Sequence, residues 1–127
     1  MLFKIPFLIA ARIIIGLSIL LLGFHTLVIL EVIPYTIVWG SRLNSFDEMI
    51  QFEVVALILN AGLLVVNWVK VKNKHNAFVS ILLWAYTGLF AVNTIGNLLS
   101  KNMFEMIVFT PLTILLALLC VRVALEK

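Results

Sequence analysis

"FEVVALILNAGLLVVNWVKVKNKHNAFVSILLWAYTGLF", residues 52–90, holds two long apolar runs joined by the basic turn "KVKNKH", Lys70 to His75. Each run continues for ~20 residues, the length a helix needs to cross the ~30 Å hydrocarbon core of a bilayer. Lipid offers no partners to backbone amides, so a crossing segment must satisfy its own. These runs are about twice as long as the ~9–11 residues of a barrel strand and lack its strict alternation. The pair therefore reads as two helices folded back on each other.

Outward from this pair the pattern repeats once on either side. Division at the charged and polar breaks gives spans at Ile13–Ile33, Met49–Val69, Ala77–Leu99 and Met106–Val121. The expected fold class is all-α: a polytopic membrane protein, a single four-transmembrane-helix bundle over residues 1–127. Composition agrees, with 64% hydrophobic residues, 12% charged residues and a mean hydropathy of +1.20, far from a soluble domain. In 127 residues four spans leave no room for a separate soluble domain. The lone Cys120 excludes an intramolecular disulfide.

The first apolar stretch is too long for one straight span. Ile5 to Trp39 would exceed ~50 Å as a continuous helix. "MLFKIPFLIAAR" suits an interfacial lead-in with Lys4 and Arg12 at the headgroups, and it lacks a small-residue cleavage site. At the far end Pro34 opposes helix continuation, while Tyr35 and Trp39 suit an aromatic belt.

Basic residues set the orientation. Lys4, Arg12, Lys70, Lys72, Lys74, Arg122 and Lys127 fall on one side, and only Arg42 and Lys101 on the other. The positive-inside rule then makes both termini and the Lys70–His75 turn cytoplasmic, with the chain in a bacterial inner membrane. Lys70, Lys72 and Lys74 are expected to touch anionic lipid. The net charge of +3 is a topology signal, so no nucleic-acid partner is expected.

Polar residues inside the spans carry the functional signal. Glu53, Asn60 and Asn67 recur every seven residues and form one stripe on the second span. Tyr86, Asn93 and Asn97 share a face of the third, and His25 lies at matching depth in the first. The expected site is an outward-opening pocket lined by His25, Glu53, Asn60, Asn93 and Asn97, with Glu31, Trp39 and Arg42 at its mouth. A charged residue at the bilayer centre costs ~2.5–3.5 kcal/mol on insertion scales, so an acid within a span normally faces protein or water. Glu53 is the residue on which function is expected to depend most, shallow enough to stay hydrated when the pocket is empty. Against this stands a purely structural role, because asparagines join membrane helices through hydrogen bonds averaging ~0.6 kcal/mol. Gly16 and Gly23 suit close helix packing.

Motifs of familiar chemistry are absent. There is no phosphate loop, no histidine pair on one helical face and no serine–histidine–acid pattern. No cofactor, no metal and no catalytic residue are expected. "ARIIIGLSILLLGF", Ala11 to Phe24, and "FEVVALILNAGLLVV", Phe52 to Val66, resemble the first two helices of DoxX-like bacterial membrane proteins. That resemblance implies a small four-helix fold with a cytoplasmic turn between helices 2 and 3, and implies no activity. "LEVIPYT", Leu30 to Thr36, is superficially similar to the first-helix acid of small multidrug exporters, but Glu31 lies at a span end and not mid-span. The leading expectation is a non-enzymatic membrane protein that binds a small molecule, lipid or protein partner. The alternatives are a proton-coupled transporter using Glu53 and His25 as a homo-oligomer, and an enzyme acting on a lipid-like substrate.

Overall fold

The computed structural model describes residues 2–127, and their regular structure is entirely helical. Four helices are long and apolar enough to cross a membrane: α1 (Phe7–Ile29), α2 (Phe46–Lys72), α3 (Ala77–Leu98) and α4 (Met103–Ala124). Short 3-10 turns at Leu2–Lys4, Tyr35–Ile37 and Trp39–Ser41 complete the fold. Three helices begin on a polar cap. The side chains of Ser45, Asn76 and Asn102 accept the backbone N–H of Glu48, Val79 and Glu105 at 3.1 Å each. Each cap satisfies one of the donors that a helix start leaves without an internal partner.

Helix α1 ends earlier than Pro34 requires. The Val32 N–H reaches back to Leu27 O at 3.0 Å and the Glu31 N–H to Val28 O at 3.0 Å, with Glu31 at φ +60°. This is a Schellman termination with glutamate in the left-handed position usually held by glycine. The helix also starts at Phe7, directly after Pro6, so it includes Arg12 and most of the expected lead-in.

The helices form two tight antiparallel pairs, α1 with α2 and α3 with α4, joined along thinner α1–α4 and α2–α3 seams. One end of the bundle, the terminal end, holds both termini and the α2–α3 turn: Arg122 Nε donates to Ile5 O at 2.7 Å. The other, the loop end, holds the long connection 30–45 and the α3–α4 turn. A main apolar core runs through the terminal half around Ile14, Leu63, Leu83, Leu116 and Leu119. A second small core of Val28, Val38, Leu43 and Met49 fastens the 30–45 connection across the loop end.

Lys70 corrects its expected lipid contact. It is 1% exposed, and its ammonium donates to Lys74 O, to Ser80 Oγ at 2.7 Å and to Glu126 O at 2.8 Å. Three donors meet three acceptors, so the charge ties α2, α3 and the C-terminus together. Lys72 stays exposed, 5.8 Å from the Trp68 ring centre, and Lys74 lies over Phe7 at 5.0 Å and 3.8 Å from Glu126.

Candidate functional site

The stripe on α2 faces inward along its whole length, with Glu53, Asn60 and Asn67 all buried. Its three members do different work. Asn67 donates from Nδ2 to Ala11 O at 2.9 Å, a joint between α2 and α1. Asn60 donates to its own helix at Ala56 O, 2.9 Å away, which identifies that atom as nitrogen and leaves Oδ1 buried without a partner. Glu53 is fully buried, with each carboxylate oxygen engaged: Oε2 with His25 Nδ1, and Oε1 with the indole N–H of Trp39 at 2.8 Å.

Beside this group lies a cavity of about 310 Å³ in the loop-end half of the bundle. All four helices contribute to it. His25 and Phe24 enter from α1, Asn60 from α2, Tyr86, Asn93 and Asn97 from α3, and Glu105, Phe109 and Thr113 from α4. Val38, Trp39 and Arg42 of the 30–45 connection lie over it. His25, Asn60, Asn93 and Asn97 thus share one cavity with Trp39 and Arg42. Two expected members do not. Glu53 stands behind His25 and Trp39 and is not part of the cavity wall, and at 0% exposure it is not the hydrated group expected. It sits two turns into α2, deep enough to be covered once the connection folds over it. Glu31 is exposed beside a separate shallow depression with Pro34 and Tyr35, because its left-handed backbone turns it away from the bundle.

Arg42 serves the site from its edge. Its Nη2 donates to Leu99 O at 3.2 Å, which places a cation at the carbonyl end of α3, where the helix dipole favours it. Asn97 donates to Thr113 Oγ1 at 3.3 Å, and the Thr94 and Thr113 hydroxyls lie 2.8 Å apart, so α3 and α4 are joined by polar contacts along the cavity floor. Asn93 lines the cavity and makes no hydrogen bond among the described residues.

Glu105, Tyr86 and Thr113 are the polar members the spacing alone did not assign to the site. Glu105 is 5% exposed and accepts from Ser100 Oγ at 2.5 Å. Its signal was present in "NMFE", Asn102 to Glu105, a cap residue followed three positions later by an acid, which fixes the acid at the first turn of α4. Tyr86 donates to Leu59 O at 2.7 Å and so bridges α3 to α2 beneath the cavity. Gly62 makes that approach available, since a Cβ there would lie 2.6 Å from the Tyr86 hydroxyl.

The chemistry of the wall is mixed. Carboxylates border it at Glu105 and, one layer back, at Glu53; a guanidinium stands at Arg42; and the ring faces of Phe24, Trp39, Tyr86, Phe90 and Phe109 supply apolar surface. No group of three or more histidine, cysteine or acidic side chains able to hold a metal exists among the described residues. No family model, curated protein or solved structure matches the chain.

Proposed function

We propose that the protein is a multi-pass protein of a bacterial cytoplasmic membrane that binds a small molecule in its loop-end cavity, without carrying out chemistry on it. One observation carries this reading: a cavity of about 310 Å³, within the ~300–1,000 Å³ of ligand sites, is lined by Asn60, whose amide oxygen is buried and has no partner. Leaving such an atom unpaired costs ~1–3 kcal/mol, a penalty that a bound donor removes. The bias of basic residues to the terminal end supports a cytoplasmic location for both termini and an outward-facing cavity.

The test is to extract the folded protein with organic solvent after purification in native lipid and to identify small molecules by mass spectrometry. A species near one per protein in the wild type, lost when Phe109→Trp fills the cavity, is the expected result. Identical extracts from both proteins would dismiss the binding reading.

A second reading is proton-coupled transport, and the direct contact of His25 with Glu53 favours it. It requires an oligomer or a larger rearrangement, because the described bundle closes its terminal half with a packed core. Substrate uptake into proteoliposomes that follows an imposed proton gradient, and stops in Glu53→Gln, would support this reading over simple binding.

A further inference from the structure

The cavity reaches the side of the bundle as well as its loop end. Val92 belongs to its wall yet is 66% exposed. It sits about 9 Å from the loop end of α3 at ~1.5 Å rise per residue, well inside the span. Gly96, one turn further along the same face, also lines the cavity, and a Cβ there would meet nothing within 4 Å. The hydrogen bonds that hold α3 to α2, Lys70 to Ser80 and Tyr86 to Leu59, lie below this level. On the loop-end side of Tyr86 no hydrogen bond joins α2 to α3 among the described residues, Ala56 of α2 and Val92 of α3 both line the cavity, and the exposed Val92 puts that edge where hydrocarbon would surround the protein.

From this opening, and resting on the binding reading above, we infer that the ligand is a small neutral amphiphile carrying an O–H donor, and that it enters from the lipid between α2 and α3. Size comes first: about 310 Å³ admits one ring with a short chain and excludes a whole phospholipid. Charge is next. Glu105 in the wall and Glu53 behind it oppose an anion, while the Arg42 guanidinium opposes a cation. A neutral molecule meets neither penalty. Donor chemistry follows from what the wall leaves unpaired. Asn60 Oδ1 is a buried acceptor aimed at no protein group, Asn93 keeps its amide free, and His25 has only Nδ1 committed to Glu53. In its neutral form, with Nδ1–H turned to the carboxylate, the imidazole presents Nε2 as a further acceptor. A hydroxyl among these groups completes the bonds the protein lacks, and the aromatic rings take the apolar body.

The test uses full-length protein in lipid nanodiscs with Trp68→Phe and Trp84→Phe, so that Trp39 in the wall is the only tryptophan. The probes are 4-butylphenol, its methyl ether 4-butylanisole, and the charged relatives 4-butylbenzoate and 4-butylbenzylamine. Expected is a saturable change in Trp39 emission with 4-butylphenol at a concentration at least tenfold lower than with any other probe. Asn60→Leu should shrink the phenol-to-ether preference below threefold. Asn93→Ala, which breaks no bond in the protein, should weaken phenol binding several-fold even if Asn60→Leu folds poorly. Val92→Phe should slow association at least tenfold in stopped-flow mixing. Equal saturation by phenol and ether, or tighter binding of either charged probe, overturns the ligand class. An unchanged rate in Val92→Phe overturns entry from the lipid. Either failure leaves the binding reading to be judged by the extraction experiment, which does not depend on these probes.

Discussion

The indole N–H of Trp39 lies 2.8 Å from Oε1 of Glu53, and Trp39 reaches it from a left-handed backbone, φ +54°. A residue other than glycine in that region is strained by about 1 kcal/mol or more. The strain is held by the hydrogen bond and by the small core in which neighbouring Val38 is 4% exposed. The 30–45 connection is thus a fastened cover over a buried carboxylate.

Trp39→Phe removes the donor and keeps most of the ring. One oxygen of a fully buried carboxylate is then left without a partner, and the expected loss of stability is about 1.5–3 kcal/mol. Unfolding in bicelles by titration with sodium dodecyl sulfate measures it. A loss no greater than that of Trp68→Phe, an exposed indole, would show that the bond contributes nothing.

Glu53→Gln alters the site through His25. The Gln amide keeps a carbonyl for Trp39 and presents its NH₂ to Nδ1, which must then be an acceptor. The ring proton moves to Nε2, and the cavity loses an acceptor while gaining a donor. The bundle should insert and fold as before, and 4-butylphenol should bind about tenfold more weakly, the effect of ~1.4 kcal/mol. Nitrogen NMR of the imidazole reads the tautomer directly. Unchanged ring shifts would remove His25 from the ligand's partners.

Much of this arrangement was legible in the sequence because it follows from period. Apolar run lengths gave four helices, and the seven-residue spacing of Glu53, Asn60 and Asn67 placed all three on the buried face. What period does not encode is the path of irregular chain. Spacing puts Glu31 at the cavity mouth, and the left-handed backbone that ends α1 directs it elsewhere. Sequence makes Lys70, Lys72 and Lys74 equivalent, and only the fold brings the Glu126 carbonyl and the Ser80 hydroxyl around Lys70. Glu105 goes unassigned by spacing, since nothing in a sequence says that the start of α4 borders a cavity whose far wall is α2.

Gly62→Ala places a methyl group 2.6 Å from the Tyr86 hydroxyl, which Leu59 O holds at 2.7 Å. The hydroxyl must give up that bond or α3 must move outward, at a cost of about 1–2 kcal/mol. In Tyr86→Phe the obstructing atom is gone, and the nearest remaining contact is 3.9 Å, from the ring carbon that carried the hydroxyl. The same alanine should then cost less than about 0.5 kcal/mol, so a double-mutant cycle returns a coupling above ~0.5 kcal/mol. Additive losses would mean that the two helices do not meet through this hydroxyl.

Glu31→Gly should stabilise the fold. The position needs a left-handed backbone, its side chain is exposed and makes no ion pair among the described residues, and glycine adopts φ +60° without a Cβ clash. Relief of roughly 1 kcal/mol is expected, partly offset by the greater freedom of glycine when unfolded. Glu31→Ala removes the carboxylate and keeps the clash, so it should gain nothing. If alanine stabilises as much as glycine, the charge and not the backbone is the source of the strain.

Lys70 and Lys72 stand two positions apart in sequence and should respond in opposite ways. Lys70→Met fills a similar volume but leaves Lys74 O, Ser80 Oγ and Glu126 O without their shared donor at the terminal end. The charged partner satisfied all three at once, so its removal is expected to cost about 2–3 kcal/mol. Lys72→Met removes an exposed charge whose contact with the Trp68 ring is 5.8 Å long, and its effect on stability should stay within about 0.5 kcal/mol. Lipid dependence separates them further. Binding of anionic vesicles to detergent-free protein, or stability measured in anionic against neutral nanodiscs, should change with Lys72→Met and not with Lys70→Met, because a 1% exposed ammonium has no headgroup to meet. Equal stability losses for the two variants, or a lipid effect confined to Lys70, would return Lys70 to the membrane surface and undo its place as the knot between α2, α3 and the C-terminus.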